Sequence, residues 1–222
     1  MKLETPLVVV NCKAYAQAVG KNVVELAKAC QRQSREFGIT VAIAVQPADV
    51  CAVAKAVSIP VFAQHVDAVV AGAFTGSVVV ESIKHAGAVG SLVNHSEKPL
   101  DLVTIKRTIL RLHDAGLSAI VCAGTPEMAF EIVKLNPDVV AIEPPELIGG
   151  DIAVSQAKPE VITATTVRIK RIPVLCGAGI KTKEDVAKAV ALGAEGVLVA
   201  SGVVCAKNPE SALKDLLEGF AK

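Results

Sequence analysis

The chain of 222 residues is 52% hydrophobic with a mean hydropathy of +0.50, so it can bury a large core and lacks the polarity of a disordered protein. Its 23 Lys and Arg against 22 Asp and Glu give a formal net charge of +1, which supplies no general field for gripping nucleic acid or an anionic membrane. Any anion site must be local.

Short apolar runs recur along the whole chain, each bounded by Gly, Pro, Asn or Asp and each followed by an amphipathic stretch. The predicted strands are Leu7 to Cys12, Thr40 to Val45, Pro60 to Ala63, Val89 to Val93, Ala119 to Cys122, Val139 to Ile142, Pro173 to Cys176 and Gly196 to Ala200. They read as near-continuous apolar segments, the pattern of strands covered on both faces by helices. Helical periodicity is clearest in Leu102, Ile105, Ile109 and Leu112, and again in Leu213, Leu216, Leu217 and Phe220, each set predicted to fall on one face. Thr125 before Pro126, Thr182 with Asp185 three residues on, and Asn208 before Pro209 are helix-start signatures. Gly38, Gly87, Gly116 and Gly193 are stop signals. Eight parallel strands with helical crossovers form either a doubly wound open sheet or a closed barrel. Eight units favour closure into a (β/α)8 barrel, predicted as a single α/β domain over residues 1–222 with no linker.

The residues before Leu7 lack the pattern of a secretory signal, and no stretch approaches the ~20 apolar residues of a membrane span. A soluble, cytoplasmic protein is therefore expected. The six cysteines, Cys12, Cys30, Cys51, Cys122, Cys176 and Cys205, form no C-x-x-C pair and no metal-type spacing with the histidines. Reduced, structural thiols and no metal site are expected, with Cys122 and Cys176 acting as small hydrophobes. His65, His85 and His113 have no partner pattern and read as structural.

Polar residues gather where the predicted strands end, the position from which such folds aim catalytic groups. The first strand ends in Asn11, Cys12 and Lys13, the fourth in Asn94, His95, Ser96 and Glu97, and the sixth in Glu143, Pro144, Pro145 and Glu146. The last two end in Gly177, Ala178, Gly179 and in Ala200, Ser201, Gly202, small residues whose backbone amides a phosphate can approach. Lys13 alone is also what an ordinary surface lysine looks like, and His95 alone is also a plausible helix cap. Glu143 is harder to explain structurally, because it is a carboxylate closing a buried apolar run.

These residues make the chain resemble the triosephosphate isomerase family over its whole length, and the compact archaeal branch in particular. The matching segments are Asn11-Cys12-Lys13, Ala63-Gln64-His65-Val66-Asp67, Gly72-Ala73-Phe74-Thr75-Gly76, Asn94-His95-Ser96-Glu97, Glu143-Pro144-Pro145-Glu146-Leu147-Ile148-Gly149, Cys176-Gly177-Ala178-Gly179-Ile180 and Leu198-Val199-Ala200-Ser201-Gly202. The resemblance implies the barrel and the interconversion of D-glyceraldehyde 3-phosphate and dihydroxyacetone phosphate through an enediolate, in glycolysis and gluconeogenesis, with no cofactor. It implies Glu143 as base, His95 as electrophile and Lys13 as electrostatic anchor, with Asn11 contacting substrate and Glu97 beside Lys13. Ile148, Gly179, Ala200 and Ser201 would cradle the phosphate. His95, placed by the resemblance at the amino end of a helix, is expected to stay neutral because the helix dipole opposes a further positive charge. Pro144 to Val154 would form a lid that excludes water from the enediolate. Here Gly150 and Asp151 stand where archaeal relatives usually have Thr-Gly, and the Asp151 carboxylate either opposes a bound phosphate or points outward and is screened by solvent.

The Gly72 to Gly76 segment resembles the family's subunit-docking loop, with Phe74 at its apolar tip, and implies a homo-oligomer: a tetramer, or alternatively a dimer. The rival readings are a Schiff-base aldolase or another phosphate-binding barrel enzyme, and a silent barrel that only binds a metabolite or protein. A Schiff-base enzyme would want lysine late in the barrel, where Glu143 stands. A silent barrel would be expected to have lost one of Lys13, His95 and Glu143.

Overall fold

The computed structural model describes residues 3–147 and 153–221. Eight parallel strands close on themselves in sequence order: β1 (Leu7–Asn11), β2 (Thr40–Val45), β3 (Val61–Ala63), β4 (Gly90–Val93), β5 (Ser118–Ala123), β6 (Val139–Ile142), β7 (Val174–Gly177) and β8 (Gly196–Val199). The seam is the pairing of β1 with β8, in which Leu7 faces Gly196 and Val10 faces Val199. Each predicted strand is present. The bounds move by a residue or two, because a strand ends where its neighbour stops offering partners. Thus β5 reaches from Ser118, opposite Gly90, to Ala123, opposite Ile142.

Helices return the chain between strands: α1 (Lys21–Phe37), α2 (Val50–Ala56), α3 (Val80–His85), α4 (Leu102–Asp114), α5 (Pro126–Val133), α6 (Val154–Ala157), α7 (Pro159–Arg168), α8 (Lys183–Ala191), α9 (Ser201–Val204) and α10 (Pro209–Glu218). Their starts follow the chemistry of capping. Thr125 accepts from the Met128 N–H, Asn208 from the Ser211 N–H, and Thr182 with Asp185 forms a reciprocal capping box. Gly38, Gly87, Gly116 and Gly193 all take positive φ, as predicted for helix stops. The apolar stripe of α4 is not covered over its whole length. Leu102, at the first position of α4, is 38% exposed, while Ile105, Ile109 and Leu112 are buried.

The strands are buried on both faces, and the period of two sorts their side chains into two cores. Val8, Val10 and Ile43 face outward against the helices. Leu7, Val9, Ala42, Ala44, Phe62, Leu92, Ile120 and Leu175 fill the barrel interior. Phe62 fits because Gly90 on the next strand has no side chain; a Cβ there would meet Phe62 Cε1 at 2.4 Å. The same alternation carries the inward face past the strand ends. Leu7 and Val9 lead to Asn11, and Val139 and Ala141 lead to Glu143. All six cysteines are free thiols, and four of them (Cys12, Cys30, Cys122 and Cys176) are buried. Among the described residues no helix is long and apolar enough to cross a membrane, and no cluster of metal-ligating side chains occurs. Ile148, Gly149, Gly150, Asp151 and Ile152, the middle of the expected lid, lie outside the described residues.

Candidate active site

At the carboxyl ends of the strands, one pocket brings together Asn11, Lys13, His95, Glu143, Gly179, Ala200 and Ser201. These are all the candidate site residues among those described. Ile148 lies outside them.

Lys13 follows β1 with φ +46, a left-handed conformation that costs a non-glycine residue on the order of 1–3 kcal/mol. The surroundings hold it there. Its N–H donates to Asn11 Oδ1 at 3.0 Å, while its carbonyl accepts from Gln64 Nε2 at 2.9 Å and Gln46 Nε2 at 3.3 Å. The strained backbone aims the ammonium across the mouth to Glu97 Oε1, 2.7 Å away. The pairing of Lys13 with Glu97 is therefore as expected. The two glutamines that brace Lys13 were not anticipated; Gln64 sits within a matched segment, but neither carries a sequence signal of its own.

His95 is 7% exposed, and its Nδ1 accepts the Glu97 N–H at 3.2 Å. Nδ1 is therefore the acceptor, and in the neutral ring the proton sits on Nε2, facing the pocket. Burial and then the Lys13 charge hold the imidazole below its ordinary pKa, with Glu97 opposing. The expected neutrality is present, but the expected cause is not. No helix starts at His95: the chain first makes a turn, with the Lys98 N–H donating to the His95 carbonyl, and α4 begins only at Leu102 behind its Asp101 cap.

Glu143 is 6% exposed, and burial pushes its carboxyl from the ordinary 4.5 up to about 7, against the lowering pull of a Cys122 hydrogen bond and the Lys13 charge. Its Oε2 has no hydrogen-bond partner and lies 3.9 Å from His95 Nε2. That gap is too long for a hydrogen bond, and it leaves both groups facing the same space. Two supporting residues were missed from the sequence. Cys122 is more than a filler, because its thiol bonds the carboxylate. Gly177, read as a phosphate-approach residue, also makes room for Glu143: a Cβ on it would stand 2.3 Å from Glu143 Cγ and 2.7 Å from Oε1.

Chemically, the pocket offers a carboxylate poised near neutrality, a neutral imidazole N–H and an ammonium around one small space. That set can move a proton on carbon while supporting charge on a neighbouring oxygen. Comparison with known proteins agrees with this chemistry. The family profile described as triosephosphate isomerase matches residues 6–218. The chain belongs to the triosephosphate isomerase family. Among curated relatives, the triosephosphate isomerase of Methanothermus fervidus is 47% identical over 219 residues, spanning 97% of this chain and 99% of that protein. The triosephosphate isomerase of Methanobacterium bryantii is 45% identical, spanning 96% of each. The crystal structure of triosephosphate isomerase from Bartonella henselae superposes with a TM-score of 0.79 over 99% of this chain and 100% of that one. At 17% identity, that superposition speaks for the fold alone.

Proposed function

We propose that the chain is an aldose–ketose isomerase that interconverts D-glyceraldehyde 3-phosphate and dihydroxyacetone phosphate in glycolysis and gluconeogenesis, acting in the cytoplasm. The observation that carries this reading is the pair Glu143 and His95. A carboxyl raised to about 7 and an imidazole with a depressed pKa stand 3.9 Å apart in the pocket that Lys13 also enters.

In this mechanism the Glu143 carboxylate removes the proton from the carbon beside the substrate carbonyl, and the electron pair moves onto the carbonyl oxygen. The His95 Nε2–H and the Lys13 ammonium stabilise the resulting enediolate, and Asn11 contacts substrate while fixing Lys13. His95 passes a proton between the two oxygens, and Glu143 returns its proton to the neighbouring carbon. Gly179, Ala200 and Ser201, together with Ile148, hold the phosphate through the backbone. A coupled assay of glyceraldehyde 3-phosphate conversion, with Glu143→Gln as control, tests this. The variant is expected to lose at least ~10²- to 10⁴-fold in turnover. Turnover within a few-fold of wild type would exclude Glu143 as the base.

The chain is further proposed to work as a homo-oligomer, a tetramer or alternatively a dimer. Phe74 supports this: it is 47% exposed within a run, residues 70–76, that is exposed throughout. A monomeric mass by light scattering at micromolar concentration would overturn it.

A further inference from the structure

The imidazole and the base leave the barrel on strands that are not neighbours: His95 follows β4, Glu143 follows β6, and β5 lies between them. Their ring and carboxylate nevertheless stand 3.9 Å apart. His95 is buried although it opens an excursion in which Ser96 to Pro99 are all exposed. The bonds from the Glu97 N–H to Nδ1 and from the Lys98 N–H to the His95 carbonyl lie within that excursion. Its tie to Lys13 runs through the Glu97 carboxylate, whose side chain is 58% exposed. A ring carried this way needs a firmer hold on the barrel.

Asn94 supplies it. The residue takes φ +60, a left-handed conformation that asparagine adopts more readily than most residues with a side chain. Both ends of its amide are used. Oδ1 accepts from the Leu100 N–H at 2.8 Å and closes the excursion at its foot, while Nδ2 donates to the Cys122 carbonyl at 2.9 Å and fastens that foot to β5. Cys122 is also the residue whose thiol bonds the Glu143 carboxylate, and the next carbonyl, that of Ala123, accepts the Glu143 N–H at 2.8 Å. The end of β5 is therefore a common rail, held by Glu143 from one side and, through Asn94, by the His95 turn from the other.

We propose that Asn94 is a positioning residue that sets the His95 ring against the Glu143 carboxylate by fastening the His95 turn to the Cys122 carbonyl. This rests on the isomerase reading for its kinetics, but not for its spectroscopic test. Asn94→Gly keeps the left-handed backbone and deletes only the two side-chain bonds. It is expected to lower kcat on glyceraldehyde 3-phosphate about tenfold while KM stays within about twofold, the split produced when reacting groups shift and phosphate contacts do not. Asn94→Asp keeps the acceptor for the Leu100 N–H and loses the donor to Cys122, so kcat should fall there too. Without substrate, NMR titration of the histidine rings follows His95 directly. Lys13, Glu97 and Glu143 face the ring in wild type and in Asn94→Gly alike, so loosening the turn should lift its titration towards the ordinary 6.5 by admitting water. A wild-type kcat in either variant overturns the proposal, even if the melting temperature falls, since Asn94 would then serve stability alone. An unchanged His95 titration in Asn94→Gly overturns it as well. A wild type that does not isomerise glyceraldehyde 3-phosphate overturns the isomerase reading, while the titration still decides Asn94.

Discussion

Replacing Glu143 by glutamine should make the protein more stable at alkaline pH while abolishing turnover. Burial raises the Glu143 carboxyl from 4.5 to about 7, so the folded state disfavours the charge relative to the unfolded chain. For an acid with a raised folded-state pKa, the linkage gives a penalty that is absent below pH 4.5, grows between 4.5 and about 7, and is fully present above. The gap of 7 less 4.5 corresponds to roughly 3 kcal/mol at most, and on the order of 5–10 °C in Tm for a chain of this size. Glutamine fills the same space, carries no charge, and its carbonyl can still accept from the Cys122 thiol. Thermal melts of both proteins at equal concentration, at pH 8 and at pH 4.5, measure the effect. The variant should melt several degrees higher at pH 8 and close to wild type at pH 4.5. A variant that melts no higher at pH 8 would refute the claim that burial of this carboxylate is the dominant cause of its shift.

The acid limb of kcat/KM should fall with an apparent pKa of about 7, since turnover needs the Glu143 carboxylate. That is above the roughly 6 at which a phosphomonoester loses its second proton, and a limb coinciding with the substrate's own ionisation would remove Glu143 from the explanation. Lys13→Ala should raise KM and lower kcat together, because the charge serves both substrate and oxyanion; unchanged constants would refute the role. Gly177→Ala should lower kcat roughly 10- to 100-fold by displacing the carboxylate its Cβ would strike, and a wild-type kcat would show that Glu143 does not need this seat. Asp151→Gly should lower KM at low salt and converge with wild type at high salt if the carboxylate repels phosphate, whereas identical KM values throughout would assign Asp151 to solvent.

What the sequence made legible was chemistry with a local signature. β-branched runs punctuated by glycine and proline marked all eight strands, and Thr182 with Asp185 marked a cap that forms as read. Glu143 stood out because a carboxylate at the end of Val139–Ile142 has no reason to be there on packing grounds alone. The supports of the site that were missed, Gln46, Gln64, Cys122 and Gly177, make their contacts across strands. The turn through Lys98 and Pro99 delays α4 to Leu102, where the apolar periodicity itself begins, so the right charge state for His95 carried the wrong cause. Burial under neighbouring strands and the cation arriving from β1 depress the imidazole, and neither is a neighbour in sequence.

Register accounts for the rest. The ladder sets Cys122 opposite Ala141 and Ile142 opposite Cys176, so the next inward position after Ala141 is Glu143, flanked by a β5 thiol on one side and by Gly177 of β7 on the other. Read along the chain, Cys122 is a small hydrophobe and Gly177 belongs to a phosphate loop. Read across the barrel, one bonds the carboxylate and the other leaves the space it occupies. The groups that react can thus be named from their own chemistry, whereas the groups that hold them belong to the closure of the sheet. For that reason Gly177→Ala should separate positioning from chemistry: it leaves every reacting atom in the protein and changes only where one of them can sit.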